Sequence, residues 1–310
     1  MSDGVKLCLV LAAAYGLACL SLAAVVAAAW RLGLQRRRSS AVDLLALRMA
    51  PPCGAALLTL SVVLPSFILY EPTHVIEPLG PALVTCALVA VAITGAGIAR
   101  GWRACAAARR LIRRFGPLRR CALADGVEAD IVDVAEPIVA AVGGWRPRIF
   151  AARQVLNACS DEEFRQVIRH EAAHVASADN LKLLMLVSSP DVLAWLPSGT
   201  ALFARWRAAA EFEADERSAG ADPHRRVVLA SALIKVARLS NDMPRPGVAL
   251  SLSVARDHVE ARVRRLLSPS PAASPKLIFS SLIVCAALIP PAAVPSYALV
   301  HRLIEVLVAL

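Results

Sequence analysis

Apolar residues in this chain run in long blocks. The first block, Val5 to Trp30, is almost wholly apolar and closes on Arg31, then Arg36, Arg37 and Arg38. A second runs from about Pro52 to Tyr70 and a third from Pro81 to Ala99. A fourth follows Lys276 and reaches about Val300, with Pro290, Pro291 and Pro295 predicting a kink or a shortening. A bilayer core takes about 20 apolar residues in a helix. The pattern therefore predicts four transmembrane helices, at about 5–30, 52–70, 81–99 and 277–300. The first reads as a retained membrane helix. A signal peptide would have a basic start and a shorter apolar core.

Between the third and fourth blocks the pattern changes. A basic helix over Arg100 to Arg114 is predicted to lie near the lipid surface, with Trp102 and Phe115 as anchors. Val127 to Val134 alternates like a strand. Pro137 to Val142 and Arg148 to Ala151 are further strand candidates, separated by Gly143, Gly144 and Pro147. Ser160, with Glu163 three residues on, is a helix start. Later helices are predicted from about Ala201 to Gly220, over 223–240 and over 254–267, followed by a Pro/Ser linker from Ser268 to Pro275. The division is a membrane domain at 1–120, a further domain at 121–270, and a linker, last helix and tail at 271–310.

Composition agrees. Of 310 residues, 57% are hydrophobic and 19% charged, against about 45–50% and 25% in soluble domains. Disordered and collagen-like classes are excluded. The eight cysteines form no C-x-x-C pair, so neither a disulfide framework nor a cysteine metal site is readable. The net charge of +10 matters through its placement. Arg100, Arg103, Arg109, Arg110, Arg113, Arg114, Arg119 and Arg120 follow directly on an apolar block. That is the mark of the cytoplasmic end of a membrane helix, and no direct nucleic-acid binding is expected. The loop 71–80 holds two Glu and no Lys or Arg. The N-terminus is thus expected outside, 31–43 inside, 71–80 outside, 100–275 inside and the C-terminus outside.

The chemistry sits in His170-Glu171-Ala172-Ala173-His174, an H-E-x-x-H on the helix opened by Ser160. Residues four apart share a helix face, so both imidazoles can reach one metal ion, and Glu171 can take a proton from its water. Zinc suits nitrogen and oxygen ligands with a position left open. A third ligand is expected from Ala210-Glu211-Phe212-Glu213-Ala214-Asp215, where Glu211 and Asp215 share a face. One of the two can ligate while the other holds a histidine ring N–H. Glu213 points the other way. Both ligand segments must lie on one side of the membrane. The apolar stretch 181–196 between them must then be a buried hairpin or re-entrant segment, broken near Pro190-Asp191. His258 and His224 are candidate oxyanion donors, and the strand at 148–151 a candidate edge for an extended substrate.

These residues carry a resemblance. WRPRIF (145–150), SDEEFRQVIRHEAAHVASADN (160–180), EFEAD (211–215) and VRRLL (263–267) resemble the membrane-embedded gluzincin peptidases of the BlaR/MecR type, and more distantly HtpX and the CAAX prenyl proteases. The resemblance implies one zinc ion held by His170, His174 and Glu211, with Glu171 as general base and Asp215 behind the ligands. It implies a mainly α, multi-pass membrane protein with a cytoplasmic α+β gluzincin domain. The implied activity is hydrolysis of a cytoplasmic or membrane-proximal protein, a winged-helix repressor among the candidates. After the fourth block only ten residues remain, so no penicillin-binding sensor is expected there. The alternatives are membrane-protein quality control as in HtpX, a non-catalytic signalling scaffold, and a transporter component. The last would need polar groups buried in the membrane helices, where only Arg48 near an edge stands out.

Overall fold

The structure is a computed structural model that describes residues 3–37, 39–71, 80–115, 119–122, 126–241, 259–268 and 277–309. It divides into two compact units. One comprises 1–102, 186–205 and 273–310, and the other 103–185 and 206–272.

In the first unit, α1 (Asp3–Leu32) matches the first apolar block. The second helix starts earlier than its apolar block. α2 (Ala41–Leu58) opens at Ser40, whose hydroxyl accepts from the Asp43 N–H, and continues through a π-helical turn (Thr59–Val63) into α3 (Leu64–Tyr70). Asp43 and Arg48 interrupt the apolar run, and Pro51-Pro52 reads as a helix start, which hides the first eleven residues from a hydropathy reading. The structure buries all four. Asp43 Oδ1 accepts from the Phe279 N–H at 3.1 Å. Arg48 pairs with the fully buried Asp191.

α4 (Pro81–Arg114) is one helix of 34 residues, about 51 Å long. The basic stretch is its continuation, not a separate surface helix. Phe115, expected as a lipid anchor, is buried against Phe150, with ring centroids 4.8 Å apart. At the C-terminal end, α11 (Leu277–Ala293) and α12 (Tyr297–Ala309) are separated by a 3-10 turn. The two arms meet at 55°, and helix persists well past Val300. Three helices, Gly4–Leu32, Ala41–Tyr70 and Pro81–Arg114, are long and apolar enough to cross a membrane. A fourth span exists only if the bent pair is taken as one.

The segment after the H-E-x-x-H helix breaks where the sequence indicates. α7 (Asp179–Ser188) ends before Pro190, and a 3-10 turn (Val192–Trp195) leads into α8 (Pro197–Ala219).

The second unit is built around a four-stranded mixed sheet, β1 (Arg119–Ala122), β2 (Glu128–Val132), β3 (Val139–Val142) and β4 (Arg148–Ala152), in the order β1-β2-β4-β3. Three strands follow the alternation in the sequence. β1, read as RRCA, carries no apolar alternation and was not expected. The period of two sorts the sheet faces. Ala129, Ile131, Ile149 and Ala151 pack on Phe164 and Ile168 of α6 (Asp161–Ala176). Val132, Val142 and Phe150 pack on Phe115. β4 is paired on both sides, by β2 and β3. It therefore offers no open edge to a substrate, contrary to the sequence expectation. The edge is β3.

α5 (Arg153–Ala158) leads to α6, and α9 (Pro223–Asn241) and helical residues 259–267 (α10) complete the unit. α6 opens on the expected capping box between Ser160 and Glu163. The buried Glu163 also accepts from Ser231 Oγ at 2.7 Å and Lys235 Nζ at 2.6 Å, tying α6 to α9. Burial would raise its pKa. The bonds from Lys235, Ser231 and the Ser160 N–H outweigh that and hold it at about 2. A carboxyl depressed in the folded state stabilises the fold above its unfolded value of about 4.3 and loses that contribution as pH falls toward the folded value. Glu163→Gln is therefore expected to cost about 1–3 kcal/mol at pH 7. The gap in apparent Tm from wild type should close between pH 4 and 2. Thermal unfolding of the full chain in detergent at pH 7, 5 and 3 measures this, and a pH-independent gap would contradict it.

Candidate metal centre

α6 delivers both histidines to one face, as its 3.6-residue period requires. His170 Nε2 and His174 Nε2 are 3.2 Å apart. α8 brings Glu211 to the same point. Its Oε2 lies 3.5 Å from His170 Nε2, and its Oε1 lies 3.7 Å from His174 Nε2. The ligand atoms of these three residues all fall within 4.8 Å of one another. Glu213, two residues on, instead pairs with Arg217 at 3.0 Å along its own helix.

The outer ring nitrogens face carboxylates. His170 Nδ1 lies 3.0 Å from Asp215 Oδ1, and His174 Nδ1 lies 2.9 Å from Asp179 Oδ2. Asp179 thereby holds the His174 ring with Nε2 turned inward, whereas His170 Nδ1 lies close to Asp215 without hydrogen-bond geometry. Asp179 reaches His174 because the chain reverses at Ala178, a non-glycine residue at φ 53°. That left-handed conformation is strained for a side chain bearing Cβ, and the turn persists because its surroundings fix it. Arg262 of α10 closes the set. It donates to Asp215 at 2.9 and 2.7 Å, and its Nη1 is 2.9 Å from Glu211 Oε2.

Glu171 turns toward the sheet. Its Oε2 accepts from the Ala141 N–H of β3 at 2.9 Å. Asn180 Nδ2 donates to the Ala141 and Gly143 carbonyls, each at 2.9 Å. The outward backbone groups of Ala141 are thus held by α6 and α7, and the edge strand is fixed beside the histidines.

Electrostatics follow from this crowding. Burial pushes Glu171 up, against the pull of His170 and His174. Burial opposes charge on His174, but its bonds to Asp179 and Glu211 carry it up to about 10. Glu211 is held well below the carboxylate range by the two histidines and Arg262, despite its burial. Asp215 is held low by Arg262 and His170, again against burial.

Of the two candidate oxyanion donors, His258 lies outside the described residues. His224 is placed elsewhere. It pairs with Glu162 at 2.8 Å, two helical turns before His170 on α6, about 12 Å along the axis. Asp179 and Arg262 were not anticipated. Asp179 lies within the 160–180 segment that carries the resemblance and Arg262 adjoins the one at 263–267, but only tertiary folding gives them partners.

Two imidazoles and a carboxylate converging on one point, beside a glutamate on the same helix and an edge strand, define a metallopeptidase-like centre. The family model described as BlaR1 peptidase M56 matches residues 11–266, and the chain belongs to that family of membrane metallopeptidases. No protein of curated function and no solved structure matches it.

Proposed function

We propose that the chain is an integral-membrane zinc metalloendopeptidase. It hydrolyses a cytoplasmic or membrane-proximal protein, with a winged-helix repressor as a candidate substrate. The observation that carries this reading is the ligand geometry. Tetrahedral zinc with bonds of about 2.0–2.2 Å has ligand–ligand edges of roughly 3.3–3.6 Å. Here the two Nε2 atoms are 3.2 Å apart, and the Glu211 carboxylate spans them with one oxygen 3.5 Å from His170 and the other 3.7 Å from His174, so the three residues face one ion-sized space.

Zinc, when bound, would supply a Lewis acid for water and for the scissile carbonyl. The rest is done by the chain itself. Asp179 holds the His174 ring in one tautomer, and Asp215 lies beside Nδ1 of His170. Glu171 keeps one carboxylate oxygen on Ala141 and has the other for the attacking water's proton, which it passes to the leaving amine. With the outward groups of Ala141 held by Glu171 and Asn180, the part of the β3 edge left for an extended substrate is that around Val139. The arginine run on α4 supports placing this domain in the cytoplasm.

The purified full chain in detergent should cleave an unfolded model protein, with the cut sites read by mass spectrometry. A reporter fused after Arg120 should read cytoplasmic, and one inserted near Thr73 extracytoplasmic. An extracytoplasmic signal at Arg120 would remove cytoplasmic proteins from the substrate list.

A further inference from the structure

Glu211 is the least fixed member of the metal centre. His170 and Asp215 are buried, whereas the Glu211 side chain is 40% exposed, so packing alone does not set its rotamer. Its two oxygens straddle the histidines, with Oε2 3.5 Å from His170 Nε2 and Oε1 3.7 Å from His174 Nε2. Placed so, the carboxylate could give an ion one oxygen or both. The difference is chemical. A catalytic zinc site takes three protein donors and keeps a fourth position for water or substrate. A second oxygen from Glu211 would fill that position.

Arg262 stands where it can decide between the two. Its Nε and Nη2 donate to Oδ2 and Oδ1 of Asp215 at 2.9 and 2.7 Å, a two-pronged grip that fixes the guanidinium plane. That leaves Nη1, which lies 2.9 Å from Glu211 Oε2. Among the described residues no other Lys or Arg pairs with Glu211. Nη2 also lies 3.2 Å from His170 Nε2, so the guanidinium borders the ion space. A positive charge there disfavours a divalent ion, so raising metal affinity is not its service. We propose that Arg262 is a positioning residue that holds Oε2 of Glu211, restricts that side chain to ligation through Oε1 alone, and so keeps the fourth position open. The proposal rests on the metallopeptidase reading and adds the device by which the site stays accessible.

The test uses the full chain in detergent, loaded with cobalt(II), whose visible spectrum changes when a ligand enters the open position. Imidazole, a neutral ligand, is titrated as the probe, and zinc affinity and kcat are measured on the same preparation. In Arg262→Gln, imidazole affinity and kcat should each fall by about 10–100-fold, the usual cost of losing a residue that orients a ligand. Zinc affinity should stay at or above wild type, because Glu211 gains a second oxygen for the ion and a nearby positive charge is gone. Arg262→Lys, whose ammonium can still hold one oxygen, should recover part of the imidazole binding. If Arg262→Gln does not fold with Asp215 unpaired, the double variant Arg262→Gln/Asp215→Asn removes the unpaired charge and carries the same expectations. Imidazole binding that is absent from wild type or unchanged in the variant, or zinc affinity that falls together with kcat, would overturn the proposal. A wild-type chain that takes up cobalt and imidazole yet cleaves no protein would instead fail the peptidase reading, with the role of Arg262 still decided by the imidazole titration.

Discussion

Glu171→Gln is expected to lower kcat for peptide hydrolysis by at least about 100-fold, the lower end of what a positioned general base contributes. Bound metal should remain at the wild-type level. Glutamine preserves volume, and its side-chain carbonyl can still accept from the Ala141 N–H that Glu171 holds. What is lost is the carboxylate base that the proposed mechanism assigns to Glu171. The ligands His170, His174 and Glu211 are untouched. Metal content and cleavage measured on the same preparation separate the two effects. Full activity in the variant would remove Glu171 from the chemistry, whereas loss of metal would recast it as a structural residue.

The second large effect is expected at Glu211. Glu211→Ala deletes the only carboxylate whose oxygens approach both histidine Nε2 atoms among the described residues. Zinc affinity should fall by more than the about 10–100-fold that loss of a supporting residue costs. Glu213→Ala should leave affinity nearly unchanged, because that side chain pairs with Arg217 on its own helix. Equilibrium zinc binding on both variants decides the matter. Unchanged affinity in Glu211→Ala would place the third ligand elsewhere while leaving the two histidines in position.

The parts of this centre that could be read in the sequence are those fixed by helical period alone. His170 and His174, Glu211 and Asp215, and the Ser160–Glu163 cap each depend on residues three or four apart within one helix. The break at Pro190 is equally local. Asp179 depends on the unusual turn at Ala178, and Arg262 reaches Asp215 across 47 residues of chain and His170 Nε2, 3.2 Å from its Nη2, across 92. No local pattern announces either. Residues 41–51 were missed because burying Arg48 with Asp191 makes polar residues acceptable inside an apolar bundle, which a hydropathy reading scores as an interruption. The edge strand was misplaced because strand order is a property of the sheet. β3 (VAAV) and β4 (RIFAA) are both short and mostly apolar, and only their pairing shows which is outermost.

The central claim is that a metal held by His170, His174 and Glu211 drives peptide cleavage. The most direct test is to strip the purified full chain with a chelator and follow cleavage as zinc is returned. The account predicts no cleavage by the stripped protein and recovery in proportion to zinc, saturating at one equivalent per chain. Undiminished cleavage by metal-free protein would contradict it.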